Sequence, residues 1–370
     1  MAKNNKDEVS AVERDATKSP LESFLQEMNT AAGRTVAYIP ANSNGAFDVK
    51  RVSSGVLAID IAIGGGYPLG RNIYFVGPKS TCKSTLLYLA MSNFTNKGLV
   101  YLEDAENTFD NNYATKLGVD TSKMLAVRSR TAEEAFNHYR CATAGGDFKA
   151  VFLDSIAALQ PEKLVDGTNS DSVMGGIGRI TSVNMANLEK DKFHCNEKTK
   201  FMPTLFYTNQ IRKKVGLVFG SPQTEPGGES PDFYASIRLD LSPGERIEEE
   251  GVVIGGKFNF LVSKNKTFPA WRTGEFYMRN DGVSPPYISN EWTLMEMAVK
   301  AGVIDKSGSW YSYLGNKLGQ GAMNVLKVIQ EFPLDKKNEM LALCVETLFP
   351  TMKVEFKFQE VTNETVAITE

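Results

Sequence analysis

Little in this 370-residue chain could build a disulfide framework or a zinc module. Its four cysteines, Cys82, Cys141, Cys195 and Cys344, are scattered, and His138 and His194 are its only histidines. Neither CxxC spacing nor closely set cysteines occur, so the sequence predicts no structural metal. No apolar run approaches the roughly 18 residues that a spanning helix needs, which argues against an integral membrane role. The opening MAKNNKDEVSAVERDATKS has no apolar core, so no secretory signal is legible and the cytoplasm is the expected location. Net charge is lacking too: 41 Lys+Arg against 44 Asp+Glu leave −3. That excludes nucleic-acid binding by bulk charge but not by local basic loops.

What is present is alternation. Short apolar runs, IYFV at 73–76, LVYL at 99–102, AVFL at 150–153 and TLFYT at 204–208, are separated by helical stretches. This predicts an α/β fold with a mainly parallel sheet covered by helices on both faces. The later runs at 235–241, 257–262 and 274–278 alternate more and read as strands extending that sheet. Ahead of the core, PLESFLQEMNTAA places Leu21, Phe24, Leu25 and Met28 near helical spacing, a helix too short to stand without a neighbour. After a Pro-Pro break the pattern turns helical over 292–301, 322–332 and 336–348. The expected division is therefore an N-terminal segment over 1–48, a core over 49–285 and a small α+β domain over 286–370.

The run IYFV leads into Gly77, Pro78, Lys79, Ser80, Thr81, Cys82, Lys83, Ser84 and Thr85, followed by the helical LLYLAMSNF. Strand, loop and helix in this order form a P-loop, whose backbone N–H groups cradle phosphates while Lys83 adds a point charge and Ser84 ligates Mg²⁺. Cys82 stands where the pattern has a second glycine, and a left-handed backbone there would cost about 1–2 kcal/mol. A thiol at a helix start beside Lys83 is expected to have a depressed pKa and to be reactive, with ATP protecting it from alkylation.

AVFL ends at Asp154, where a carboxylate at a strand's C-terminal edge can hold the Mg²⁺ shell opposite Ser84. LVYL ends in Glu103, Asp104, Ala105 and Glu106, one of whose carboxylates can orient the attacking water. A later stretch, NQIRKKVGLVFGS over 209–221, carries Arg212, Lys213 and Lys214 with no acid, plus glycines and Phe219. Cations for phosphates and an apolar wedge for base steps suit a DNA loop, and the same residues taken alone suit a solvated basic helix equally well.

From about Val49 to Phe349 the chain resembles the RecA family of DNA strand-exchange recombinases. The strings that carry the resemblance are SSGVLAIDIAIGGGYPLGR, GPKSTCKST, EDAENTFDNNYATKLGVD, VFLDSIAAL, GTNSDSVMGGIGR, TNQIRKKVGLVFG, FYASIRLDL, VSKNK and GSWYSYLGNKLGQG. Several of these are not shared by P-loop ATPases at large. The resemblance implies a P-loop NTPase core, ATP and Mg²⁺ as cofactors, binding to single- and double-stranded DNA, and self-assembly into a helical filament. It implies a DNA-dependent ATPase that pairs and exchanges strands in recombination and repair. A single-stranded-DNA-binding protein and a loading mediator are partners by resemblance alone.

The same resemblance assigns residues. Glu106 would polarise the hydrolytic water, Asp104 would sit beside the metal, and Asp110 and Tyr113 would contact the adenine. Gln210 would sense the γ-phosphate at the start of the second DNA loop. Lys264 and Lys266 would reach across a subunit boundary to the neighbour's phosphates. In the first loop, Asp166–Arg179, Met174 would wedge between bases while Arg179 and Ser182 touch phosphate. Val215, Gly216, Gly227 and Gly228 complete the expected DNA-binding set.

Departures from the family pattern set further expectations. Lys79 stands where bacterial members usually have Glu, and Glu229 and Asp232 where they often have Asn and Lys. The rewritten interface predicts self-assembly and poor mixing with a bacterial host-type relative; together with Cys82 in the P-loop it leans towards a phage source of the UvsX type. The terminal TNETVAITE lacks a dense acidic tail. A ring-forming hexameric motor is the alternative that both DNA loops argue against. A mediator that has lost turnover is the alternative that Glu106, Gln210 and the lysine pair argue against.

Overall fold

The computed structural model describes residues 19–33, 48–165, 176–213, 223–249, 251–280, 286–352, 354 and 356–358. Two units are distinguished, Met1–Lys50 and Arg51–Glu370. In the first, the helix Pro20–Ala32 begins with a capping box: the Ser19 hydroxyl accepts from the Glu22 N–H, and the Glu22 carboxylate accepts from the Ser19 N–H. These bonds satisfy two of the donors a helix start leaves open, and left-handed Gly33 closes the other end. Leu21, Phe24 and Met28 are all exposed on it.

The second unit is built on a nine-stranded sheet. Its strands are β1 (Asn72–Gly77), β2 (Leu99–Asp104), β3 (Met124–Val127), β4 (Phe148–Asp154), β5 (Thr204–Gln210), β6 (Ile237–Glu249), β7 (Val252–Asn265), β8 (Arg272–Arg279) and β9 (Tyr287–Ile288). In space they run β9-β8-β7-β6-β1-β5-β4-β2-β3. The six strands from β6 to β3 are parallel, and β7, β8 and β9 add antiparallel.

The strands read as apolar runs because both faces are buried. Ile73, Phe75, Phe152 and Phe206 point into a core shared with the Leu57–Ile63 and Lys83–Thr95 helices. Tyr74, Val76, Val151, Leu153 and Tyr207 point into a second core under the Ala132–Gly145 and Gly176–Thr199 helices. The Lys83–Thr95 helix is buried almost all round, as expected of one that is apolar on every side.

A third core joins Leu57, Ile61 and Tyr277 to the C-terminal elements. Those elements are the helices Asn290–Lys300, Ala322–Gln330 and Leu334–Leu348 and an antiparallel sheet of Ile304–Ser307, Trp310–Tyr313 and Asn316–Gln320. The mainly parallel sheet, its helices on both faces and its antiparallel extension all follow the sequence expectation. The hairpin β6–β7 runs further than its apolar alternation indicated, through the polar Glu245–Glu249. Pro243 is accommodated there because the register shifts between Pro243 and Arg246, and an irregularity of the ladder is where a strand tolerates proline.

Candidate active site

β1 and β5 are neighbours in the sheet but distant in sequence, and the loops at the C-terminal ends of β1, β2, β4 and β5 converge beside them. Such a crossover is where open α/β sheets collect ligands. Gly77 ends β1 where a Cβ would sit 2.5 Å from the Leu241 carbonyl oxygen, so only glycine lets the chain turn there. Ser80 and Cys82 take left-handed backbones at φ 59° and 62°, and the Lys83–Thr95 helix starts directly after Cys82. The strained position anticipated at Cys82 is therefore present.

Lys83 is buried, and its ammonium donates to the Gly77 and Pro78 carbonyls at 3.1 and 2.6 Å. The Thr81 hydroxyl donates to the same Pro78 carbonyl, so the loop is held in a closed curl. Burial pulls the Lys83 ammonium below the usual lysine range, while Asp154 and Glu106 pull it back.

Asp154 is the hub of the acids. Its Oδ2 accepts from the Ser84 hydroxyl at 2.7 Å and its Oδ1 from the Thr208 hydroxyl at 2.5 Å. Burial raises its pKa, and the two hydroxyls work against that rise. Among the described residues no cluster of three or more His, Cys, Asp or Glu could hold a metal alone. The paired hard oxygens of Ser84 and Asp154 nevertheless fit Mg²⁺, which takes one or two protein ligands and completes its shell with water and substrate phosphate.

Glu106 faces this group from the β2–α loop. Its Oε1 accepts from the Ser155 hydroxyl at 2.6 Å and from Gln210 Nε2 at 3.0 Å. The other two acids of the run point elsewhere. Asp104 accepts from the N–H groups of Thr108 and Phe109 and from Arg128, and Glu103 accepts from Tyr101 and the Ser129 N–H. Asp104 is thus a loop-organising residue in this structure.

A family model of the RecA N-terminal domain matches residues 20–284, and one of the RecA C-terminal domain matches residues 293–340. The chain belongs to the RecA family. Protein RecA of Agrobacterium fabrum is 35% identical over 344 residues, covering 92% of this chain and 91% of its own. Protein RecA of Frankia casuarinae is 37% identical over 294 residues, 79% of this chain and 82% of its own. Protein RecA of Bartonella bacilliformis is 34% identical over 316 residues, with coverage of 85% and 88%. Among the described residues of this RecA-family chain no helix is long and apolar enough to cross a membrane.

Tyr113 sits next to the P-loop, its hydroxyl 2.9 Å from that of Thr85 and its ring edge-on to Tyr88. The Asp110 carboxylate accepts from the N–H groups of Asn112 and Tyr113 and caps the helix Asn111–Lys116. Pro78, Lys79 and Ser80 are exposed along the loop.

Lys264 near the end of β7, and Lys266 just after it, lie at the N-terminal ends of the parallel strands, opposite the phosphate loop. Lys264 pairs in register with Arg238, and Arg238 with Tyr74 near the start of β1. The Lys264 ammonium donates to the carbonyls of Asp232 and Phe233, while Lys266 is exposed. Asp232, singled out for the interface, also pairs with Arg238 at 3.3 Å. Burial works against the Arg238 charge, and Asp240 and Glu225 outweigh it, raising its pKa.

The exits of the two loops meet. A Cβ on Gly227 would lie 2.8 Å from Ile156 and 3.2 Å from the Thr181 hydroxyl, and Gly228 lies against Gly178. Gly227 is buried there and packs against protein. Arg179, Ser182 and Gly228 are exposed. The backbones of Arg212–Lys213 and Gln223–Thr224 form a two-residue antiparallel ladder at the base of the second loop. Met174, Lys214, Val215, Gly216 and Phe219 lie outside the described residues.

One expectation is overturned. The Cys82 thiol is packed against the core with its Sγ 3.4 Å from Met278 Sδ, and burial pushes it up to about 12 against the opposing pull of Lys83. Residues the sequence reading passed over are Ser155 and Thr208, which hold the two acids, and Asn209. The buried Asn209 amide donates to the Tyr74 hydroxyl and to the Pro226 carbonyl, tying the return of the second loop to the sheet. A polar run inside an apolar strand, Thr208-Asn209-Gln210, was the available signal.

Proposed function

We propose that this RecA-family chain is a single-stranded-DNA-dependent ATPase that assembles as a helical filament on DNA, pairs it with homologous duplex and exchanges strands. The observation that carries the reading is the bond from Gln210 Nε2 to Glu106 Oε1. It joins the residue that opens the basic loop to the carboxylate facing the phosphate loop, so a change in the loop alters the water-orienting group directly.

In this reading ATP lies along the P-loop with Lys83 released from the Gly77 and Pro78 carbonyls onto the β and γ phosphates. Ser84 and Asp154 would hold Mg²⁺, which when bound would supply neutralisation of phosphate charge. Glu106 accepts a hydrogen bond from the attacking water, and Ser155 fixes its other contact. Tyr113 offers a flat apolar face for the adenine, with Asp110 at the rim of that helix.

Lys264 and Lys266 act on a neighbour's nucleotide. Lys266 is level with Asn72, through the bonds from Lys266 N–H to Ser236 and from Ser236 N–H to Asn72. Gly77 is five residues further along β1, roughly 17 Å at the rise of an extended strand and beyond a lysine's reach. Arg179, Ser182 and Gly228 would touch DNA together with the basic Arg212–Lys214 stretch, Met174 would wedge between bases, and the Gly227 contacts hold the loop exits together. The core over 49–285 carries both activities, flanked by a polymerisation segment over 1–48 and a small domain over 286–370. A single-stranded-DNA-binding protein and a loading mediator are its expected partners in a cytoplasm.

The test is ATP hydrolysis with and without single-stranded DNA for the wild type, Lys83→Ala and Gln210→Ala. Strong stimulation by DNA, abolished by the first substitution and uncoupled from DNA by the second, is expected. Hydrolysis indifferent to DNA would refute the reading.

A further inference from the structure

Arg51 has no place in the site described so far. It lies in the short strand Arg51–Val52, which pairs with Tyr67–Pro68. Its Nη1 donates to the carbonyls of Ile63 at 3.2 Å and Gly66 at 2.8 Å. Its Nη2 donates to the Thr267 carbonyl at 3.1 Å and the Thr267 hydroxyl at 2.9 Å. Two arms of one planar group therefore bridge the Gly64–Gly66 turn and the residue after Lys266, a geometry that the single point charge of a lysine cannot reproduce.

Other contacts converge on the same junction. Asn265 donates to the Ile63 carbonyl and accepts from both the N–H and the hydroxyl of Thr267. The Phe268 ring lies on the bare backbone of Gly64, where a Cβ would be 2.6 Å from the ring. Lys264 is fixed by carbonyls of a different segment, Asp232 and Phe233. Lys266, the exposed member of the pair, is held at its N–H by the Ser236 carbonyl and is followed directly by Thr267, the residue that Arg51 and Asn265 bind.

We propose that Arg51 is a positioning residue for the trans-acting lysine turn, holding Thr267 to the Gly64–Gly66 turn so that Lys266 projects into the neighbouring subunit's nucleotide site. The proposal rests on the reading that Lys264 and Lys266 act across a subunit boundary. It extends the hydrolytic machinery to a residue whose own P-loop is untouched: Arg51→Ala should damage the neighbour's site and leave its own sound.

Subunit mixing on single-stranded DNA reads this out. Full-length Arg51→Ala should turn over ATP roughly ten- to a hundredfold more slowly than wild type, the scale of a misplaced reacting group. Lys83→Ala carries a dead P-loop and a sound lysine turn. Mixed in equal amounts, the two should recover about a quarter of wild-type turnover, since one head-to-tail interface in four pairs a sound P-loop with a sound turn. The doubly substituted Lys264→Ala/Lys266→Ala chain is the control and should be rescued in the same way.

Rescue of the control without rescue of Arg51→Ala overturns the positioning role and leaves the trans reading standing. Failure of the control to be rescued removes the trans reading and the proposal with it. Arg51→Lys keeps the charge without the fork and guards against a chain that does not fold. It should also be slow alone and rescued on mixing, and wild-type turnover by Arg51→Lys counts against the bridge.

Discussion

Alkylation of the cysteines separates a half-buried, core-packed thiol from a reactive one at the P-loop. Burial raises the Cys82 thiol from 9.0 to about 12. At pH 8 the thiolate fraction then falls about a thousandfold, because each unit of pKa removes a factor of ten from the reactive form. A thiolate of higher pKa is more nucleophilic, and a Brønsted slope of 0.4–0.5 over three units returns a factor of roughly 20. The net expectation is reaction about 50-fold slower than that of an ordinary thiol, before the shielding by Met278 is added. The assay is iodoacetamide at pH 8 with peptide mapping over time, using the exposed Cys141 as the internal reference. ATP should change the Cys82 rate little, since the thiol already packs against Met278. Modification of Cys82 as fast as Cys141, or strong protection by ATP, would refute this and restore the reactive thiol.

Three further outcomes follow from the geometry. Asp60 is buried against Ser53 and Ser54, and burial raises its carboxyl from 3.8 to about 6. The folded state therefore holds an extra proton between these values, so its contribution is full below about 4 and is lost as pH rises through about 6, some 3 kcal/mol by pH 7. Asp60→Asn should raise the urea midpoint at pH 7.5, with the advantage vanishing near pH 4; an advantage independent of pH would contradict it. Glu106→Gln should lower hydrolysis by roughly a hundredfold or more with single-stranded DNA still bound, measured by phosphate release and fluorescence anisotropy. Gly227→Ala forces a Cβ against Ile156 at φ 85°, and should lower stability by about 1–3 kcal/mol in urea unfolding; an unchanged midpoint would mean the loop exits are not packed as described.

The sheet was legible because its strands are buried on both faces, which writes them as apolar runs and leaves the flanking turns to glycine and polar residues. β3 was not, since Met124–Val127 is an edge strand whose Leu125 is half exposed, and edge strands carry no continuous apolar signal. The P-loop, Asp154 and the left-handed Cys82 were legible from spacing, because phosphate loops fix residue types at fixed offsets. The chemistry of Cys82 was misread because sequence shows the adjacent lysine but not the methionine 196 residues away. The choice among Glu103, Asp104 and Glu106 needed the resemblance, since three acids in four positions look alike until the loop N–H groups that occupy Asp104 are seen.

The same sheet register bears on why hydrolysis and assembly would be inseparable. The phosphate loop and its acids sit at the C-terminal edge of β1, and the lysine turn is level with its first residue. A strand is rigid along its length, so no side-chain rearrangement brings these two groups to one nucleotide within a subunit. If both serve hydrolysis, a subunit is half a site, and two subunits related by any closed two-fold axis would have to cross their edges to complete it. Head-to-tail stacking completes one site per interface and, where the rotation does not close into a ring, leaves an open half at each end on which the filament grows. The turn that Arg51 fixes then decides how well each added subunit completes the site before it, and growth and turnover become two readings of one contact.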